Sequence, residues 1–284
     1  MIECLPELPS LLEPDPELYE FLFGVIGFQR TDVLQGRATV IAFVNEGYNV
    51  LACDVNEDGL SGTLQGLNPS KVASMIVDVS KEDQVARAVE FCVSKFKGVH
   101  VMFANAGIGS DLNPFYEYDE ETINQTLQVN VNGVLYSFKH AYLAMQKLGI
   151  KDGSLIATAS VAGIRSGAGG TVYSASKAAV ISIGKTVANQ LYGTGIRCNI
   201  VCPGLIETGM TRPLFDMASQ RGSTARLGQL NPLTRYGYAQ EIATVVTFLA
   251  SPAASYINGQ SIAVDGGLSS SHPVAVRRQG KASM

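Results

Sequence analysis

The stretch Ser160–Lys177, SVAGIRSGAGGTVYSASK, brings together a hydroxyl at Ser160, a phenol at Tyr173 and an ammonium at Lys177. Residues four apart on a helix share a face, so Tyr173 and Lys177 can act on one small volume. A phenol with a pKa near 10 is a poor proton donor or acceptor at neutral pH. A neighbouring ammonium favours the phenolate and lowers that pKa. At about 4 Å and an effective dielectric near 20, the attraction is worth roughly 4 kcal/mol. One pKa unit corresponds to about 1.4 kcal/mol, so the pair can bring a tyrosine towards the range where it exchanges protons. The spacing is common by chance, and its weight depends on what the rest of the chain positions around it.

From about residue 36 the chain alternates short β-rich runs with longer helical patterns. The runs 48–53, 72–77, 99–103, 154–159, 197–202 and 260–264 read as strands, several of them nearly all apolar. Such runs suit a parallel sheet covered on both faces. Helical patterns occupy 37–46, 81–95, 120–146, 172–191 and 240–250. Repeated β-α-β order predicts an α/β fold of one domain, a doubly wound parallel sheet in three α/β/α layers. In such a sheet the crevice lies outside the carboxyl ends of the strands. Three of those ends carry candidates. Asp54 can accept hydrogen bonds from ribose hydroxyls and would repel a 2′-phosphate, Asp78-Val79 suit the edge of an adenine ring, and Asn105-Ala106-Gly107 let backbone approach a ligand. Each also reads as ordinary turn chemistry. The helix over 172–191 is small-residue and apolar all round, which suits burial against a second subunit as well as its own sheet. Residues 205–231, with Met210, Leu214, Phe215 and Met217, have the character of a substrate lid, and the residues after 267 that of a mobile tail.

Composition excludes several classes. A chain of 284 residues with a formal charge of −4 offers no basic nucleic-acid surface. Five scattered cysteines argue against a disulfide framework, and three histidines without neighbouring ligands argue against a metal site. Phe21–Phe28 is too short to span a bilayer, and the N-terminus lacks the basic flank of a signal peptide. A cytoplasmic protein without membrane or nucleic-acid partners is the expectation.

Over about residues 36–267 the chain resembles the short-chain dehydrogenase/reductase family. The motifs occur in the family's order: Asp54, Asp78-Val79, Asn105-Ala106-Gly107, Asn130-Val131-Asn132-Gly133, Ser160, Tyr173-x-x-x-Lys177, Pro203-Gly204 and Asp265-Gly266-Gly267. The resemblance implies a Rossmann-like fold and an oxidoreductase that interconverts an alcohol and a ketone or related carbonyl with NAD(P). Tyr173 would be the general acid/base, Lys177 would hold the nicotinamide ribose and tune the phenol, and Ser160 would orient the substrate oxygen. Asn130 would hold a water linking Lys177 to solvent. Ile206 and Thr208, after Pro203-Gly204, match positions that contact the nicotinamide carboxamide. Asp54 favours NAD over NADP. The family suggests a homodimer or homotetramer acting on a small-molecule alcohol or carbonyl substrate.

The resemblance fails in one place. The family's phosphate loop, Thr-Gly-x-x-x-Gly-x-Gly, retains only Gly36, with Gln29, Arg30 and Leu34 at its other fixed positions. Those glycines normally give a tight turn and close approach to the pyrophosphate. Residues 1–35 are otherwise unlike the family apart from a candidate first strand over 21–28. Two explanations stand: an alternative or misassigned first exon joined to an intact remainder, or a divergent chain with weakened dinucleotide binding. The second leads to a rival function, a non-catalytic binding or scaffold protein on the same fold.

Overall fold

The computed structural model describes residues 23–28, 33–109 and 112–272. Seven strands form one sheet in the order β3-β2-β1-β4-β5-β6-β7. They are β1 (Phe23–Phe28), β2 (Asn49–Asp54), β3 (Val72–Ile76), β4 (Val101–Ala104), β5 (Ser154–Thr158), β6 (Arg197–Pro203) and β7 (Ser261–Val264). Every neighbouring pair is parallel. Strand order therefore reverses between β1 and β4, which opens a crevice at their carboxyl ends. The register sets Phe28 opposite Asp54, and Ala104 opposite Ala157.

Side chains alternate between the faces of each strand, and here both faces are apolar. Leu51, Cys53, Met102, Leu155 and Ile200 pack on one side against Val89 and Cys92 of α3 (Glu82–Phe96), Met145 of α5 (Gly133–Leu148) and Val180 of α6 (Thr171–Gln190). Val50, Ala52, Phe103, Ile156 and Val201 pack on the other against Phe43 of α1 (Val33–Asn45) and Val246 of α8 (Ala239–Ala250). This is the three-layer arrangement. Cys53, Cys92, Cys198 and Cys202 are buried free thiols, and burial pushes Cys92 and Cys198 up to about 12. Among the described residues no helix is long and apolar enough to cross a membrane.

The helices differ from the sequence expectation in four places. The helix expected to start at Arg37 starts at Val33, so Leu34 adopts helical geometry in its first turn and leaves its side chain nearly half exposed. Leu34, at a position where the family has glycine, has no positive φ, whereas Gln29 and Arg30 lie outside the described residues. The single helix expected over 120–146 is broken: α4 (Glu120–Leu127) passes through a π turn at Gln128–Asn132 into α5. One extra residue per turn barely alters apolar spacing but re-aims the side chains it carries. Two helices join the pattern. In α2 (Glu57–Leu64), two glycines dilute the periodicity and Asn56 caps the start by accepting from Gly59 N. In α7 (Arg212–Gln220), Pro213 sits in the first turn, within the region read as a lid.

Helix α6 lies close to the sheet because Gly184 lets it. A Cβ at 184 would stand 2.3 Å from Ile200 Cγ1. Gly184→Val is expected to destabilise the fold by about 1–3 kcal/mol through overpacking, read as a lower denaturation midpoint in urea with an unchanged slope.

Candidate active site

Ser160 follows the end of β5, and its Oγ accepts from Ala162 N (3.1 Å), opening a 3-10 turn at Val161–Gly163. That turn rests directly on α6, since a Cβ at Gly163 would meet Lys177 C at 2.7 Å. Gly169, at the far end of the same loop, lies against the phenol ring: a Cβ there would stand 2.9 Å from Tyr173 Cδ1. The sequence between Ser160 and Lys177 thus folds so that its two ends touch.

Lys177 is 2% exposed, unusual for an ammonium, which is costly to bury without compensation. Its Nζ donates to Thr158 O (2.8 Å), the last residue of β5, and lies 5.7 Å from the centroid of the Tyr173 ring. Tyr173 itself is half-buried. Gly107 is glycine for a local reason, because a Cβ would stand 3.1 Å from Lys177 Nζ and 3.4 Å from Asn130 Oδ1.

The π turn places Asn130 fully inside. Its Nδ2 donates to Ile108 O (2.9 Å) and Ser176 Oγ (3.0 Å), and its Oδ1 accepts from Ile108 N (2.8 Å). Ser176 Oγ in turn donates to Tyr173 O (2.7 Å). Asn130 therefore ties the loop after β4 to the helix that bears the tyrosine. Both amide hydrogens are used in that role, which leaves Oδ1 or the backbone to meet any water.

Asn105, Gly107, Ser160, Tyr173 and Lys177 line one cleft at the strand ends, and the segment after β6 adds Gly204, Ile206 and Thr208 to its wall, with Pro203 at the strand's end. Gly204 N donates to Val264 O (3.0 Å), and a Cβ at 204 would meet Asp265 Cα at 2.8 Å, so this glycine permits β6 and β7 to close together. Thr211 Oγ1 donates to Ile206 O (2.6 Å) and accepts from Thr208 N (3.0 Å), knitting the wall into a fixed turn. Cys202, on β6, is pushed up to about 11 by burial, so it is a neutral thiol and not a competing nucleophile.

The remaining sequence candidates lie outside this cleft. Asp78 lines a second hollow with Val55, Ile108 and Gln128, while its Oδ1 accepts from Ser80 N (3.0 Å) and Ser80 Oγ (2.7 Å). Val79 packs on the glycine of the Asn-Val-Asn-Gly motif, where a Cβ at Gly133 would be 2.9 Å from its Cγ2. Asp54 is buried at the end of β2 and its Oδ1 accepts from Asn56 N (2.9 Å). Burial raises its pKa, and the N–H groups of Asn56 and Val55 oppose that rise. The turn chemistry weighed for both aspartates is present. Gly36 and Ala106 are buried and line neither hollow.

Sequence reasoning missed Gln35, Thr158 and Thr211, all of which line the cleft. Gln35 carried one signal: it shares a helix face with Thr39 and Phe43, both of them buried, so a polar side chain points the same way as core residues.

The geometry agrees with the comparisons. A family model described as enoyl-(acyl carrier protein) reductase matches residues 35–269. A 3beta-hydroxysteroid dehydrogenase of Eggerthella lenta is 37% identical over 240 residues, covering 82% of this chain and 90% of that protein. A 3-oxoacyl-[acyl-carrier-protein] reductase of Thermotoga maritima is 38% identical over 236 residues, covering 82% of this chain and 92% of that protein. Among solved structures, that of levodione reductase superposes with a TM-score of 0.79 at 30% identity, covering 87% of this chain and 98% of the other. Relatives of this kind do not favour the non-catalytic alternative. The chain belongs to the short-chain dehydrogenase/reductase family and is an NAD(P)-dependent oxidoreductase that interconverts alcohol and carbonyl groups.

Proposed function

We propose that Tyr173 is the general acid/base of this oxidoreductase, with Lys177 as its electrostatic partner and Ser160 as the donor that orients the substrate oxygen. The observation that carries the reading is the buried Lys177 ammonium beside the Tyr173 ring, in one cleft with Ser160. In the reductive direction Tyr173 gives its phenolic proton to the carbonyl oxygen, and in the oxidative direction it takes that proton back. Lys177 favours the phenolate state through its charge. Ser160 holds the oxygen within reach, so that the tyrosine meets it in one orientation.

The residues present fit a nicotinamide dinucleotide. The crevice at the reversal of strand order is where such ligands bind, Gly107 leaves no bulk beside Lys177, and the buried Asn105 carries an unmet N–H there. When bound, the dinucleotide supplies or accepts the hydride. Lys177 and Tyr173 would hold its nicotinamide ribose, Ile206 and Thr208 its carboxamide, Asp54 the adenosine ribose, and Asp78 with Val79 the adenine edge. Near the pyrophosphate the chain offers the first turn of α1 in place of a glycine loop.

Asp54 supports a preference for NAD(H), because a carboxylate at the end of β2 disfavours a 2′-phosphate. Asp54→Ser is expected to shift the NADPH-to-NADH ratio of kcat/KM towards NADPH by about tenfold or more, the scale of one relieved charge–charge contact. A wild-type chain preferring NADPH by that margin would contradict the preference.

The relatives are named for a 3beta-hydroxysteroid, a 3-oxoacyl-[acyl-carrier-protein] and levodione, and the segment read as a lid carries Met210, Leu214 and Met217. Met210 also approaches the loop after β4, lying 3.9 Å from where Gly109 would carry a Cβ. We infer a carbonyl or secondary alcohol on a largely apolar skeleton. We also infer a homo-oligomer, supported by Ala175 and Ala178 on the exposed face of α6, for which analytical ultracentrifugation is the test.

A further inference from the structure

Asn105 is the first residue past β4, at the reversal of strand order, and is 5% exposed. Its Oδ1 accepts from two donors, Gln35 Nε2 at 2.9 Å and Thr158 Oγ1 at 2.7 Å. Its Nδ2 has no partner among the described residues. Buried donors are seldom left unmet, and one that lines a ligand crevice has a natural acceptor in the ligand. With Gln35 Nε2 and Thr158 Oγ1 both donating to Oδ1, Nδ2 is the amide atom left to meet a ligand acceptor.

Gln35 is itself 2% exposed and stands in the first turn of α1, whose N–H groups lack intrahelical acceptors. The positive end of the helix and the unmet Asn105 N–H are therefore within one side chain's reach of each other. An anion is the ligand group that satisfies both.

We propose that Gln35 is a positioning residue for the cofactor: with Thr158 it fixes the Asn105 amide so that Nδ2 donates to a phosphoryl oxygen of the dinucleotide pyrophosphate. This rests on the dinucleotide-binding reading above. Gln35 occupies a variable position of the family's phosphate loop, between Leu34 and Gly36, so the device belongs to this chain's own sequence.

The test is calorimetric titration of the full chain with ADP-ribose, NADH and adenosine, in wild type, Gln35→Met, Asn105→Ala and the double variant. Gln35→Met should weaken ADP-ribose and NADH by about tenfold, the scale of one lost hydrogen bond to a charged group, with adenosine affinity and substrate KM unchanged. Because Gln35 acts through Asn105, the double variant should bind no more weakly than Asn105→Ala alone. Gln35→Leu serves if the methionine variant does not fold. The proposal is overturned if Gln35→Met binds ADP-ribose as tightly as wild type. It is equally overturned if adenosine affinity falls in step, or if the two single effects multiply in the double variant. A wild-type chain that binds neither NADH nor NADPH contradicts the functional reading itself, a different outcome from tight wild-type binding that Gln35→Met leaves intact.

Discussion

Tyr173→Phe should lower kcat by about a thousandfold while leaving cofactor affinity and thermal unfolding close to wild type. The substitution removes one oxygen and keeps the ring that Gly169 flanks. General acid/base groups typically contribute 10²- to 10⁴-fold, so a loss near the middle of that range corresponds to about 4 kcal/mol of barrier. The measurement is steady-state reduction of an apolar ketone followed at the reduced nicotinamide absorbance, with cofactor affinity measured separately. A loss confined to KM would mean that the phenol serves binding and not proton transfer.

Lys177→Met should have the next largest effect, and on more than one observable. The methionine fills most of the lysine's volume but cannot donate to Thr158 O, which is buried at the end of β5. Leaving that carbonyl unmet costs about 1–3 kcal/mol, visible as a lower denaturation midpoint. Removing a preorganised charge from a dry site costs about 10²- to 10³-fold in kcat, by analogy with the loss of a single oxyanion-hole donor. Cofactor affinity should fall as well, because Lys177 is assigned to the nicotinamide ribose. A variant with wild-type kcat and only reduced stability would leave Lys177 a purely structural residue.

The inner strands β2, β4, β5 and β6 were legible because they are buried on both faces, unlike the edge strands β3 and β7. Val101–Ala104 is apolar throughout and wholly buried, whereas Arg197–Pro203 is wholly buried yet takes Arg197 and Asn199 inside with it, both bonded to backbone carbonyls. Helix periodicity puts Tyr173 and Lys177 on one face, but that spacing is common, and it was the order of motifs around the pair that singled it out. The break in the helix at Asn130 was not, since a π turn inserts one residue without disturbing the apolar pattern around it. The start of α1 was misplaced because the glycine pattern drew attention to Gly36, while Val33 and Leu34 are ordinary helix residues without a capping signal. The Gln35–Asn105 bond spans 70 positions and exists only through the pairing of β1 with β4. Asp54 and Asp78 show a different limit. The same carboxylate can serve a turn and a ligand, and sequence alone could not say that both aspartates would be found holding turns.

The central claim is that this cleft holds a nicotinamide dinucleotide beside Tyr173 despite the altered loop before Gly36. Calorimetric titration of the purified full chain with NADH and with NADPH tests it most directly. Saturable binding of one dinucleotide per chain is expected, tighter for NADH. Absence of heat and of saturation with both nucleotides, from a chain whose cooperative unfolding shows it to be folded, would contradict it.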